Sequence, residues 1–361
     1  MVFSSPAKPS QPSYLISKGS TMQQNSAVGI LGAGTWGVAL ARMLSLSRHA
    51  VTVWSPLETE IKQLSADRVH PKLPGVVIPG DILFTGEIEQ ACRDKEIILF
   101  AVPSLYVRQT ADRARACIPD GQIIADAAKG IEPGSLLPLS HVIRSELSKD
   151  GQHNGVRLVA LSGPTHAEEV ARDMPTTIVS ASDDMEAAEK VQDVFMNTCL
   201  RVYTNEDILG VELCGALKNV IALACGIATG IGYGDNTRAA LITRGMAEIT
   251  RLGLAMGCQP RTFSGLAGIG DLIVTATSPH SRNNRAGMLI GQGLTAQEAA
   301  QQVGMVVEGI NALPAAVSLA QRYGVDMPIV RAVDVIIKRG ASPADTVDAL
   351  MCRDKKHEFG E

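Results

Sequence analysis

AVGILGAGTWGVALARMLSL, residues 27–46, decides the reading of this chain. A short β-branched run, Ala27 to Leu31, is followed by Gly32-Ala33-Gly34-Thr35-Trp36-Gly37 and then by a helix-like apolar segment. In a strand, turn and helix the first glycine makes the tight turn and the second lets backbone approach a pyrophosphate. The third lets helix pack closely on strand. The helix N-terminus adds free amides and a positive dipole end for phosphates. A bare G-x-G-x-x-G is also met in plain turns; the strand before it and the helix after it point to a dinucleotide.

Outward from this unit, β-branched runs recur at 50–54, 97–102, 122–127, 157–161 and 176–181, separated by helical stretches. Alternation of this kind predicts parallel βαβ units in a doubly wound, Rossmann-like α/β sheet. After about residue 205 it stops. Segments 208–230, 237–256, 295–303, 308–323 and 328–338 read as helices. The expected organisation is a flexible tail over 1–26, a dinucleotide-binding domain over 27–207, an all-helical substrate-binding C-terminal domain over 208–352, and a tail over 353–361. The first 26 residues are rich in Ser, Pro and Gln and carry no signal-peptide core.

Composition agrees with an enzyme core. The 361 residues are 45% hydrophobic but only 4% aromatic, with 34 glycines, so Ala, Val, Ile and Leu must pack closely. A net charge of −4 provides no overall field toward nucleic acid or an anionic membrane, and phosphate must be held locally. The seven cysteines form no C-x-x-C pair, which fits reduced thiols and a cytoplasmic setting. The longest apolar run, Val220 to Tyr233, falls short of the roughly 20 residues that span a bilayer, so no membrane segment is expected. The seven histidines show no metal-ligand spacing, and neither a G-x-S-x-G elbow nor a P-loop occurs.

Five segments carry candidate chemistry. Lys218 sits in VELCGALKNVIALAC, 211–225, on a helix apolar on both faces. Burial there would lower its pKa toward neutrality and make it a proton acceptor; a snorkelling lysine is the bland alternative. Lys129 follows a strand and emerges at the carboxyl edge of the sheet, where open α/β folds bind ligands. Gly163 and Thr165, in SGPTHAE, offer backbone amides to an oxyanion or a helix cap; His166 beside them is a weaker catalytic candidate. Asp271 follows the glycine-rich GLAGIG and is a candidate to orient Lys218. Ser281, Arg282 and Asn283 form a donor-rich loop or helix start suited to phosphate. The second strand ends Trp54-Ser55-Pro56-Leu57-Glu58. With no acidic or basic residue directly at the strand end, the choice between NAD and NADP stays open.

Together, GAGTWG, AVPS (101–104), AAKGIE (127–132), SGPTHAEE (162–169), VELCGALKN, GLAGIGDL, SRNNRAG and VVEG (306–309) resemble the NAD(P)-dependent glycerol-3-phosphate dehydrogenases of the bacterial biosynthetic type, over about residues 27–352. The resemblance implies interconversion of sn-glycerol 3-phosphate and dihydroxyacetone phosphate, supplying phospholipid synthesis, by a homodimer. It implies Lys218 as catalytic acid or base. Lys129, Gly163, Thr165, Asp271, Ser281, Arg282 and Asn283 would line the substrate. Gly32, Gly34, Thr35, Trp36, Gly37, Lys129, Ala167, Arg282, Val306 and Glu308 would contact the dinucleotide. Pro56 departs from the basic residue usual in the family. Related two-domain reductases of other small acids, or a dinucleotide sensor, would share the glycine turn without needing SRNNRAG, Lys218 and Asp271.

Overall fold

The computed structural model describes residues 25–196, 198–355 and 357–358. The expected N-terminal tail lies almost wholly outside them. The first half of the chain forms one sheet of β1 (Ala27–Leu31), β2 (Ala50–Trp54), β3 (Leu83–Thr85), β4 (Ile97–Phe100), β5 (Ile123–Asp126), β6 (Arg157–Ser162), β7 (Thr176–Ala181) and β8 (Leu200–Asn205). Their spatial order is β3-β2-β1-β4-β5-β6-β7-β8. Strand order reverses at β1, between β2 and β4, which opens the crevice beside the glycine turn.

Every strand expected from sequence forms, some a residue or two shorter, and β3 and β8 are additions. One expectation is corrected. β7 runs antiparallel to β6, not parallel. Its connection holds only the one-turn helix Ala167–Val170, not the longer helix that usually carries a parallel crossover over a face of the sheet. Apolar clusters cover both faces of the sheet. Val38, Leu40 and Leu44 pack on one side and Val107, Val142 and Ile143 on the other, the doubly wound arrangement.

The sheet ends at Asn205 and the helical half begins at Ile208. Asp207 caps the long helix Ile208–Ile231 by accepting from the Gly210 amide at 2.9 Å. Gly232, at φ 104°, ends it. Residues on all sides of this helix are buried, so it is the core around which the other helices pack. By length and a hydropathy of 1.7 it could cross a membrane, although the longest uninterrupted apolar run looked too short. Ninety-four per cent of that window is buried inside the protein, as befits a core helix.

GLAGIGDL, glycine-rich in sequence, and SRNNRAG, which read as a loop or helix start, are mostly helical: a wide turn over Leu266–Gly270 runs into helix Asp271–Thr277, and Arg282–Gly291 is a second helix. The second lies against the long helix with almost no side chain between the backbones. A Cβ on Gly226 would stand 2.1 Å from the Asn284 carbonyl oxygen, and one on Gly287 2.2 Å from that of Leu223. Only glycine allows this approach, which brings the start of the Arg282 helix close to Lys218.

Candidate active site

The carboxyl ends of β1, β4, β5 and β6 point to one edge of the sheet, and the helical half closes over it. Between them lies a cleft of about 680 Å³. Its walls include Gly34, Thr35 and Trp36 from the glycine turn, Lys129 after β5, and Thr165 and Ala167 after β6. From the helical half come Lys218, Ser281, Arg282, Asn283, Val306 and Glu308. Most of the expected site residues therefore converge from segments far apart in sequence.

Gly32, Gly37, Gly163 and Asp271 stand behind the cleft wall. Gly32 takes φ 127°, and a Cβ on it would meet the Ala101 carbonyl at 2.7 Å. On Gly37 a Cβ would lie 2.0 Å from the Gly32 carbonyl oxygen. These two glycines set the close contacts of strand, turn and helix. Gly34 faces open space, with no atom within 4 Å of where a Cβ would stand. The first turn of helix Thr35–Leu46 has no side-chain cap. Its amides are thus free to meet a phosphate, and the shape of the turn fits a dinucleotide pyrophosphate.

At the other end of the cleft two lysines share one carboxylate. Lys218 Nζ donates to Asp271 Oδ1 at 2.6 Å and to Thr275 Oγ1 at 2.5 Å. Lys129 Nζ donates to Asp271 Oδ2 at 2.7 Å and to the Gly163 carbonyl at 3.0 Å. Burial lowers the Lys218 ammonium to about 7; Asp271 opposes the shift, and Lys129 and Arg282 add to it. Burial alone would raise the Asp271 carboxyl, but the two ammonium groups override it and hold it below the usual range. One negative charge thus serves two positive ones in a dry setting. The arrangement can release and regain a proton near neutral pH.

His166 stands at the N-cap of helix Ala167–Val170 and lines the cleft. Burial, then the Lys218 charge, lowers its pKa, and its Nε2 has no partner. Asn283 braces helices: its Nδ2 donates to Asn219 Oδ1 at 2.9 Å and its Oδ1 accepts from the Gly309 amide at 2.8 Å. Ser281 caps the Arg282 helix by accepting from the Asn284 amide. The Glu308 carboxylate accepts from the amide and hydroxyl of Ser104, at 3.1 and 2.6 Å, and links the two halves across the cleft.

Sequence reading missed Thr275, Asn219, Lys72 and His280, all on the cleft wall. Thr275 was within reach, because it lies one helical turn after Asp271. Nothing local marks Lys72, whose ammonium crosses to the Gly304 carbonyl at 3.2 Å.

A doubly wound sheet with an open glycine turn, leading along one cleft to a buried lysine of near-neutral pKa, defines a two-domain dinucleotide-dependent dehydrogenase. Residues 27–188 match the family "NAD-dependent glycerol-3-phosphate dehydrogenase N-terminus" and residues 207–348 match the corresponding C-terminus. The chain belongs to this NAD(P)-dependent oxidoreductase family. It is 67% identical over 332 residues to glycerol-3-phosphate dehydrogenase (NAD(P)+) 2 of Lactobacillus delbrueckii subsp. bulgaricus, covering 92% of this chain and 98% of that one. Glycerol-3-phosphate dehydrogenase (NAD(P)+) of Agathobacter rectalis is 49% identical, with coverage of 92% and 98%. A solved glycerol-3-phosphate dehydrogenase from Coxiella burnetii superposes with a TM-score of 0.86 at 34% identity, over 91% of this chain and 99% of that one.

Proposed function

We propose that the cleft interconverts sn-glycerol 3-phosphate and dihydroxyacetone phosphate, with Lys218 as the acid or base at the C2 oxygen. The observation that carries this reading is the buried Lys218–Asp271–Lys129 group at the far end of a cleft that begins at the glycine turn. When bound, the dinucleotide supplies or takes up the hydride. Lys218 gives a proton to the C2 oxygen on reduction and takes it back on oxidation, a role its lowered pKa supports. Asp271 and Thr275 hold the Lys218 ammonium in place. Lys129 offers a second positive group to the substrate oxygens.

Arg282, at the first turn of its helix, lines the cleft and would anchor the phosphate with the helix N-terminal amides. Anchoring the phosphate positions C2 and supplies binding energy to the reaction. Glycerol phosphate formed in this way would feed phospholipid synthesis. The proposal includes a homodimer and a cytoplasmic location; the cysteines, all free among the described residues, support the location.

The test is dihydroxyacetone phosphate reduction followed by loss of nicotinamide absorbance. The wild-type chain should turn over, and Lys218→Ala should lose on the order of 10²–10⁴ in kcat while still binding the dinucleotide. A near-normal rate in that variant removes Lys218 from the reaction.

A further inference from the structure

The end of the cleft opposite Lys218 carries a carboxylate with no role in the chemistry above. β2 ends at Trp54, and the next residue, Ser55, is buried. Its hydroxyl donates to Glu60 Oε2 at 2.6 Å and accepts from the Leu57 amide at 3.2 Å. Glu60 is thereby fixed in the first turn of helix Glu58–Asp67, half-buried, and it lines the same cleft as Gly34. Glu58, nearer in sequence to the strand end, instead pairs with Lys62 at 2.6 Å in solvent and does not reach the cleft.

Sheet order makes this placement meaningful. β2 flanks β1 on the side away from β4 and β5, so Glu60 and Lys218 lie toward opposite ends of the cleft with the glycine turn between them. A dinucleotide with its pyrophosphate at Gly34 and Thr35 and its nicotinamide toward Lys218 sets its adenosine ribose beside the end of β2. The cleft wall also carries the basic residues His70 and Lys72. Burial lowers the His70 pKa, which favours the neutral ring, and Lys72 is engaged with the Gly304 carbonyl.

We propose that Glu60, held by Ser55, is the residue that sets dinucleotide specificity: its carboxylate accepts from the adenosine ribose hydroxyls and repels a 2′-phosphate, so the protein takes NAD(H) in preference to NADP(H). This rests on the dehydrogenase reading above and deepens it. It also accounts for Pro56. With Glu60 reaching back from the next helix and held by Ser55, no charged residue is needed directly at the strand end.

The experiment titrates the full chain with NADH and NADPH separately, by nicotinamide fluorescence without substrate, and assays dihydroxyacetone phosphate reduction with each in parallel. NADH should bind on the order of 100-fold tighter than NADPH, the scale of a like-charge contact at a partly buried site. Glu60→Gln, which keeps an acceptor and removes the charge, should shrink that ratio about tenfold or more, chiefly by tightening NADPH. Ser55→Ala, which frees the Glu60 carboxylate, should shrink it in part. Equal binding in the wild type, or a ratio that Glu60→Gln leaves unmoved, overturns the proposal while turnover with either nucleotide leaves the dehydrogenase reading standing. Tighter NADPH that depends on Lys72, tested with Lys72→Ala, also overturns it. Absence of both binding and turnover brings down the two readings together.

Discussion

Replacing Asp271 with Asn removes the single negative charge that two buried lysines share while nearly preserving shape. Lys218 titrates at about 7 with Asp271 opposing the effect of burial. An opposite charge in contact is worth about 1–3 pKa units, so without it the ammonium midpoint falls to about 5. At pH 7 the protonated fraction then drops from about one half to about one in a hundred, a loss of roughly 50-fold in the form that can donate. The lysine becomes a stronger acid, which returns part of that loss, so dihydroxyacetone phosphate reduction at pH 7 should fall by about 5- to 50-fold. Oxidation must fall by the same factor in kcat/KM at fixed pH, because the overall equilibrium constant is unchanged.

The assay is kcat/KM for reduction from pH 5 to 9 in a constant-ionic-strength buffer. Reduction needs protonated Lys218, so the wild-type profile is flat below pH 7 and declines above it. In Asp271→Asn the decline should begin about two units lower. A rate lowered evenly across pH with the midpoint still near 7 would refute the coupling of Asp271 to the Lys218 proton and leave Asp271 a packing residue.

Arg282→Ala should raise KM for dihydroxyacetone phosphate about 100-fold or more, by loss of a charge-assisted contact; initial-rate kinetics would show it, and an unchanged KM removes Arg282 as the phosphate anchor. Gly226→Ala places a methyl 2.1 Å from the Asn284 carbonyl oxygen and should cost about 3 kcal/mol of stability in urea denaturation. Gly34→Ala meets no atom within 4 Å, so it should fold normally yet lose dinucleotide affinity in a binding titration. Glu248, buried and accepting from the amides of Ile329 and Val330 at 2.7 and 3.2 Å, is raised by burial from 4.5 to about 7. Between those values the folded chain holds a proton that the unfolded chain has released, so stability falls as pH rises through the window. Glu248→Gln should flatten this slope by up to about 3 kcal/mol between pH 4.5 and 7, measured as the change in unfolding free energy.

Much of the architecture was legible because periodicity reports burial directly. Short β-branched runs between helical stretches marked six of the eight strands, and a helix apolar all round marked Ile208–Ile231 as a core element. β3, of only three residues, is too short for its alternation to stand out. The direction of β7 was not readable, because a strand has the same side-chain pattern whichever way it runs, and the segment that joins it to β6 folds as a one-turn helix rather than a full crossover helix. The helices in GLAGIGDL and SRNNRAG were hard to read because glycine and asparagine are weak helix formers, which left a loop as an alternative to the helix start at Arg282. Tertiary packing overrode that propensity, and at 226 and 287 the glycines serve a close helix crossing.

By itself the sequence determined most of the strands, the glycine turn, the buried helix and the residue types able to hold phosphate and move a proton, since each depends on local pattern and chemistry. Tertiary structure decided which of them act together. It brought Lys129, Lys218, Asp271 and Thr275 within hydrogen-bonding distance and turned Glu60 rather than Glu58 into the cleft. The physical reason is that a pattern along the chain reveals that a face is buried but not what it is buried against. Lysine proton affinity and nucleotide choice are set by those neighbours.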